Sequence, residues 1–216
     1  MLKTIQEKLA ASNTKLVAVS KTKPVEQILD MYHQGQKVFG ENRVQELVEK
    51  HAQLPKDIEW HLIGHLQTNK VKYIAPFVAM IHAVDSFKLL EEINKQAQKE
   101  DRIIPVLLQF RIAEEDSKYG LEISDAVLIL ESEALTELEN IQICGVMGMA
   151  TFTHDMTQVR TEFQQLKRYF DLLKTRYFSQ DLAFKEISMG MSGDYELAIE
   201  EGSTMVRIGS LLFGNR

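Results

Sequence analysis

Two lysines follow directly after an apolar run near the start of the chain. Residues 16–24 read LVAVSKTKP, so a stretch typical of a buried strand ends at Ser20 and is followed by Lys21 and Lys23. A lysine at a strand end is usually a surface charge whose aliphatic stem lies along the protein. The alternative is an amine that its surroundings keep deprotonated and that condenses with an aldehyde to form a Schiff base. The residues alone leave both lysines as candidates for this chemistry.

Two segments near the end of the chain combine glycine and serine in a way that could bind a phosphate group. The first, SMGMSGDYE, contains Gly190 and Ser192, and the second, RIGS, ends in Gly209 and Ser210. Glycines allow the backbone N–H groups to approach an anion closely, and the serine hydroxyls can donate to it. Each segment alone usually marks a turn, but two of them in neighbouring strand–helix connections favour a phosphate site.

Arg207 lies two residues before Gly209 and carries a charge that donates hydrogen bonds without accepting them. A phosphate pocket, an aldehyde-capturing lysine and an inward arginine together indicate pyridoxal 5′-phosphate. Sites for this cofactor combine a lysine Schiff base with an acidic or arginine partner for the pyridine nitrogen. An arginine facing that nitrogen would keep it unprotonated and so weaken the ring as an electron sink.

Eight apolar runs typical of strands must position these groups, and helical patterns separate most of them. The runs start at Lys15, Lys37, Ile58, Met80, Ile104, Ile141, Phe184 and Thr204. This alternation predicts a parallel sheet, and the count predicts a single α/β domain over residues 1–216, a (β/α)8 TIM barrel. An extra N-terminal helix, Leu2–Ala11, precedes the first strand and could plug the lower end of the barrel. The rival fold is an open doubly wound sheet, which the lack of a glycine fingerprint after the first strand disfavours.

Barrel enzymes build their sites from the carboxyl ends of the strands, where all the candidate residues stand. Side-chain alternation along the first strand bears on the lysines. If Val17 and Val19 face the helices, then Ala18 and Ser20 face inward and Lys21 lies at the rim. The same alternation leaves Lys23 in the following turn, so the choice between the two lysines stays open at this point.

The composition excludes several classes of function. The 216 residues carry a formal net charge of −6, so there is no basic surplus to neutralise the phosphates of a nucleic acid. No apolar run reaches the roughly 18 residues of a membrane span, and the first residues lack the apolar core of a signal peptide. We therefore expect a cytoplasmic protein that binds neither nucleic acid nor membranes. The single cysteine, Cys144, is expected to be a buried small hydrophobe.

Two further polar groups have ordinary readings. His61 and His65 are four residues apart, but they belong to a strand and its exit, and no glutamate lies between them as in a zinc-binding helix. We therefore expect no metal site there. Asn42, in the segment GENR, could cap the next helix or contact a ligand.

Long motifs in this chain resemble the pyridoxal phosphate homeostasis proteins, the YggS/PROSC family. The motifs are LVAVSKTKP, FGENRVQE, EWHLIGHLQTNK, DSFKLLEEIN, GVMGMA and SMGMSGDYELAIEEGSTMVRIGSLLFG. They occur in the family's order and span residues 15–214. The resemblance implies a barrel similar to the N-terminal domain of alanine racemase and other fold-type III enzymes.

The resemblance also implies roles for particular residues. The cofactor would form its Schiff base with Lys21, and Arg207 would be the partner of the pyridine nitrogen. The other positions that match cofactor-binding residues of the family are Asn42, Met149, Ser192, Gly209 and Ser210. Met149 would lie beside the ring, whereas we expect Met147 to fill the core.

The function that this family implies is intracellular homeostasis of pyridoxal 5′-phosphate: storage and supply of the cofactor, with effects on amino-acid and keto-acid balance. Its partners would be the cofactor itself, cofactor-dependent apoenzymes or amino acids. Alanine racemase adds a second domain and a tyrosine from the partner subunit, and this sequence ends directly after the eighth strand. We therefore expect a monomer without robust catalytic activity. The alternatives are a cofactor-dependent amino-acid racemase of fold type III and a barrel that binds another phosphorylated metabolite without a covalent link.

Overall fold

The computed structural model describes residues 1–114 and 119–214, and its eight parallel strands form a closed barrel. The strands are β1 (Lys15–Val19), β2 (Val38–Glu41), β3 (Glu59–Leu62), β4 (Met80–Val84), β5 (Ile104–Arg111), β6 (Ile141–Met149), β7 (Glu186–Ser188) and β8 (Met205–Ile208). Each strand pairs with the next, and β8 pairs with β1, which excludes the open doubly wound sheet. The predicted barrel is confirmed, with each strand at its predicted apolar run.

Helices precede the first strand, lie in the connections between strands and follow the last strand. They are α1 (Leu2–Ala11), α2 (Val25–His33), α3 (Val44–Gln53), α4 (Phe87–Lys99), α5 (Ile123–Leu130), α6 (Met156–Arg176), α7 (Tyr195–Glu200) and α8 (Ser210–Phe213), with 3₁₀ helices at Thr68–Tyr73 and Glu133–Glu137. No helix in the described ranges combines the length and hydropathy needed to cross a bilayer.

The side chains of β1 point in the directions opposite to those considered from the sequence. Val17 and Val19 pack in the barrel interior, whereas Ala18 packs in the shell between the strands and the helices. Alternation then gives Ser20 the outward direction and Lys21 the inward one. The sequence did not reveal this because both faces of a barrel strand are buried, so an apolar run has no polar side to mark its orientation.

The first helix lies on the outer wall of the barrel. The buried side chains of α1 pack in the layer between the strands and the helices, and not in the barrel interior. They are Leu2, Ile5 and Leu9. Lys8 of α1 also pairs with Glu196 of α7 at 2.6 Å. The helix is present with the predicted bounds, but it covers the outside of the barrel and does not plug its lower end.

A β-bulge in the middle of β6 changes the direction in which the side chains after it point. Val106 and Leu107 are consecutive in β5, yet their partners in β6 are two residues apart, which leaves Cys144 as the extra residue. Gly145 follows with φ +153°, and a Cβ there would lie 1.8 Å from the carbonyl oxygen of Glu186. Cys144 is buried, and burial raises the pKa of its thiol to about 11. It is the inert small hydrophobe that we expected.

Candidate functional site

A cavity of about 660 Å³ opens at the carboxyl ends of the strands, a volume typical of small-molecule sites. The residues predicted for the site all line it: Lys21, Asn42, Met149, Ser192, Arg207, Gly209 and Ser210. They lie in, at the end of or after β1, β2, β6, β7 and β8, and these strands are neighbours in the closed barrel although several are distant along the chain. The closed barrel therefore brings the predicted residues into one site.

The two candidate lysines have different surroundings. Lys21 lines the cavity and continues the inward direction of Val17 and Val19. Lys23 donates its ammonium hydrogens to the carbonyl oxygens of Phe213 and Gly214, each at 3.1 Å. It therefore fastens the end of α8 to the turn after β1, and Lys21 is the lysine placed to meet a ligand in the cavity.

The connections after β7 and β8 meet at one side of the cavity. The backbone N–H groups of Gly209 and Leu211 point to the hydroxyl oxygen of Ser192, at 3.3 and 3.5 Å. A Cβ added at Gly193 would have no atom of the described residues within 4 Å, so the backbone there faces open space. A hydroxyl and several backbone N–H groups around an open space form a donor set that suits a phosphate group.

Asn42 follows β2 directly and lines the cavity. The helix α3 begins only after Arg43, which is its N-cap residue, so Asn42 does not cap that helix. Met149 lines the cavity and is 42% exposed, whereas Met147 is fully buried in the interior. The different expectations for the two methionines are thus consistent with their positions.

Arg207 lines the cavity with only 3% of its surface exposed. Two of its N–H groups donate to the hydroxyl of Ser188 at 2.7 Å and to the carbonyl oxygen of Gly148 at 2.9 Å. Burial lowers the pKa of the guanidinium to about 10, so the side chain is still a cation at neutral pH. The remaining N–H groups leave Arg207 able to donate to a ligand in the cavity that it lines.

A chain of buried polar side chains continues from Arg207 into the barrel. Ser188 Oγ lies 3.0 Å from His82 Nδ1, and His82 Nε2 lies 2.9 Å from His61 Nδ1. Because Arg207 can only donate, the Ser188 hydroxyl accepts from it, while the tautomers of the two rings set the directions of the Ser188–His82 and His82–His61 hydrogen bonds. Burial lowers the pKa of His61 to about 3 and holds that of His82 well below its usual range. Both rings are therefore neutral in the folded protein.

Sequence reasoning missed two parts of this site. His82 and Ser188 were overlooked, although inward alternation along β4 and β7 would have placed them beside His61. His65, by contrast, is exposed and stacks on Tyr119 with ring centroids 3.9 Å apart, so it does not converge with His61.

The other missed part is the loop after β6, residues 151–154, which lines the cavity. Its first residue, Thr151, donates from both its backbone N–H and its hydroxyl to the buried carboxylate of Glu162 on α6, each at 2.7 Å. The conformation of this loop depends on Glu162, which lies in a helix eleven residues further along the chain. No local sequence motif indicates that contact.

The buried histidines predict a specific dependence of stability on pH. Below pH 6.5 the unfolded chain protonates His61, whereas the folded protein does not until about pH 3. The unfolded state thus binds more protons in this window, so the free energy of unfolding should fall by about 1.4 kcal/mol per pH unit for this residue as pH decreases. The variant His61→Asn offers His82 an amide that can either accept or donate a hydrogen bond, and it removes the titration. Chemical denaturation between pH 7 and 4 should show a shallower slope for it; an unchanged slope would contradict the assignment.

Comparisons with known proteins give the following similarities. Residues 2–216 match the family described as "Alanine racemase, N-terminal domain". A protein of Aquifex aeolicus (strain VF5), named pyridoxal phosphate homeostasis protein, is 43% identical over 203 residues, which cover 94% of this chain and 87% of the relative. PipY of Synechococcus elongatus, solved without and with pyridoxal phosphate, is 35% identical with TM-scores of 0.91 and 0.87, covering 99% of this chain and 98% of PipY.

A more distant structure shares the fold. Alanine racemase of Bartonella henselae, solved with covalently bound pyridoxal phosphate, superimposes with a TM-score of 0.72 over 97% of this chain and 57% of the racemase. At 18% identity this likeness concerns the barrel alone.

Proposed function

The chain belongs to the pyridoxal phosphate homeostasis protein family, and on this basis we propose that it binds pyridoxal 5′-phosphate in the cavity described above. The observation that carries the proposal is the meeting of Lys21, Arg207 and the Ser192–Gly209 side in one cavity. Those are an amine, a fixed cation and a set of anion-binding donors, which together match the chemical groups of this cofactor. The support from the comparisons is the name of the relatives and the pyridoxal phosphate in a PipY structure.

The residues divide the task of binding between them. Ser192 and the backbone N–H groups of Gly209 and Ser210 would hold the phosphate, and Arg207 would donate to the ring nitrogen. The cofactor supplies an aldehyde, which condenses with a lysine amine with loss of one water molecule. Lys21 is the amine for that bond, and Asn42 and Met149 line the same cavity beside it.

The biological role that follows is cofactor homeostasis: the protein holds pyridoxal phosphate and supplies it, with apoenzymes or amino acids as the partners that receive or react with it. The openness of the cavity supports exchange, because Met149, Phe152 and Leu211 on its lining are 42%, 94% and 38% exposed. A site that does not exclude water suits binding and release better than proton abstraction.

We also propose that the protein is a monomer of the cytoplasm with one barrel domain. Among the described residues after Met1, the two most exposed large apolar side chains are those of Phe152 and Leu182. Phe152 follows β6 and Leu182 precedes β7, so the two lie at opposite ends of the barrel and do not form one patch. Sedimentation velocity and fractionation of cells would test these two statements. A dimer, or recovery with the membrane fraction, would contradict them.

The experiment that tests binding is incubation of the purified protein with pyridoxal phosphate, followed by borohydride reduction and peptide mass spectrometry. Reduction makes the covalent link permanent, so the cofactor adduct should appear on the peptide that contains Lys21. An adduct elsewhere would contradict the site. Tight phosphate-dependent binding without any adduct would favour the alternative of a phosphorylated metabolite held without a covalent link.

The racemase alternative has less support, because the likeness to alanine racemase concerns the fold alone. We expect the protein, loaded with cofactor, to convert L-alanine or L-serine to the D-enantiomer or a keto acid no faster than free cofactor does. Chiral chromatography over several hours measures this. Sustained turnover well above the free cofactor would overturn the expectation.

A further inference from the structure

The turn that carries Lys21 has a strained backbone. Thr22, the next residue, has φ +65°, a left-handed conformation that is rare for a β-branched side chain. Such a conformation costs free energy and persists where the surrounding structure enforces it. One peptide bond joins Thr22 to Lys21, so the groups that enforce this backbone conformation also fix the backbone from which the Lys21 side chain extends.

A buried lysine on α3 holds the peptide group before Lys21. The ammonium of Lys50 donates to the carbonyl oxygen of Ser20 at 2.7 Å, to Glu41 Oε1 at 2.7 Å and to Glu46 Oε1 at 2.7 Å. These are three acceptors for the three hydrogens of one ammonium group. Lys50 is only 6% exposed, so the interactions are made largely away from water.

The same cluster holds the peptide group after Lys21. Glu46 Oε1, which accepts from Lys50, also accepts from the backbone N–H of Thr22 at 2.5 Å. Ser20 adds a hydroxyl that donates to Glu41 Oε1 at 2.6 Å. Both peptide groups that flank Lys21 are therefore fastened to the α3 side of the barrel.

Stability alone does not account for this cluster. Buried ion clusters rarely add net stability, because removing charges from water costs about as much as their attraction returns. This cost applies to Glu41, because its Oε2 is buried with no hydrogen-bond partner among the described residues and burial raises the pKa of the carboxyl group. The cluster of Lys50, Glu41 and Glu46 adds little stability, but it fixes the peptide groups on both sides of Lys21. We therefore explain the cluster by the position that it gives to Lys21.

We propose that Lys50, acting with Glu46, is a positioning residue that clamps the turn after β1 and holds the amine of Lys21 towards the cofactor cavity. The proposal rests on the proposed function for its ligand, but the clamp itself is a property of the protein without ligand. Lys50 does not touch the cavity and acts through the backbone of residues 20–22.

The test uses Lys50→Met, which keeps the length of the side chain and removes its charge, and Glu46→Ala, at a half-buried position where loss of folding is less of a concern. Hydrogen exchange of the Thr22 amide is measured without cofactor, and the dissociation constant of pyridoxal phosphate is measured by titration. We expect at least tenfold faster exchange and at least tenfold weaker binding in both variants, with thermal unfolding still cooperative.

Lys167→Met is the matched control, because it removes another i,i+4 ion pair, with Asp171, from the surface of α6. This substitution should change neither the exchange rate of the Thr22 amide nor the dissociation constant of pyridoxal phosphate.

The outcomes separate the clamp from the binding function. Unchanged Thr22 exchange in both variants would overturn the clamp, even if cofactor affinity fell. Faster exchange with unchanged affinity would overturn the link between the clamp and Lys21. If the unaltered protein does not bind pyridoxal phosphate, the proposed function fails and the positioning role fails with it, while the exchange data still report on the turn.

Discussion

Replacement of Lys21 by alanine is expected to abolish covalent capture of pyridoxal phosphate, whereas Lys23→Ala is expected to retain it. Lys21 lines the cavity, and the amine of Lys23 is occupied with the carbonyl oxygens of Phe213 and Gly214. Without the amine of Lys21 the aldehyde has no partner at this site, so the visible absorption band of the bound cofactor should disappear. Residual binding through the phosphate would remain, but it should be weaker and lost on dialysis.

The measurement is the absorption spectrum after dialysis, combined with borohydride reduction and mass spectrometry of both variants. Lys23→Ala is the matched control, since it lies in the same turn and also removes one ammonium group. A persistent band and adduct in Lys21→Ala, together with their loss in Lys23→Ala, would move the assignment to Lys23. Circular dichroism of both variants should match the unaltered protein, because neither side chain is buried in the core.

Replacement of Arg207 by methionine is expected to weaken both cofactor binding and the fold. The change leaves the buried Gly148 carbonyl oxygen without its partner and removes the donor to Ser188. An unsatisfied buried polar group costs about 1–3 kcal/mol, so the free energy of unfolding should fall by about that amount. The loss of the only cation predicted to face the ring nitrogen should raise the dissociation constant of pyridoxal phosphate at least tenfold.

A second consequence distinguishes Arg207 from an ordinary buried side chain. Its positive charge is one of the causes that lower the pKa of His82, after burial and the neighbouring His61. In Arg207→Met the pKa of His82 should therefore rise, and acid unfolding should shift in its pH dependence. Arg160→Met is a suitable control, because that arginine is paired with Glu200 and Glu201 on the surface and should leave unfolding and binding nearly unchanged. Equal effects of the two substitutions would contradict the role of Arg207.

Much of the architecture could be predicted from the order of apolar runs and helical patterns. Eight buried strands separated by helical patterns leave few alternatives to a closed parallel barrel, and the carboxyl ends of such strands necessarily meet. Ser192, Gly209 and one of the two lysines after β1 could be assigned to one site for that reason. The resemblance of the motifs to the pyridoxal phosphate homeostasis family supported the ligand that the residues had indicated, and it implied the choice of Lys21 and the roles of Asn42 and Met149.

The direction of side chains could not be predicted in the same way. Both faces of β1 are apolar, so Val17 and Ala18 exchange roles without any change in the pattern of hydrophobicity. The choice between Lys21 and Lys23 depends on that direction. It also depends on the contact of Lys23 with the end of α8, which lies 190 residues away in the sequence.

The sequence by itself thus determined the strands, the barrel and the end of it where chemistry occurs, because periodicity and strand order are local or follow from parallel connection. Only the tertiary structure decided which lysine lines the cavity. It also decided that Arg207 is linked through Ser188 to the buried His82 and His61, and that Lys50 binds the turn beside Lys21. Those contacts join side chains from separate strands and helices, and their geometry is set when the barrel closes, since no short stretch of chain contains both partners.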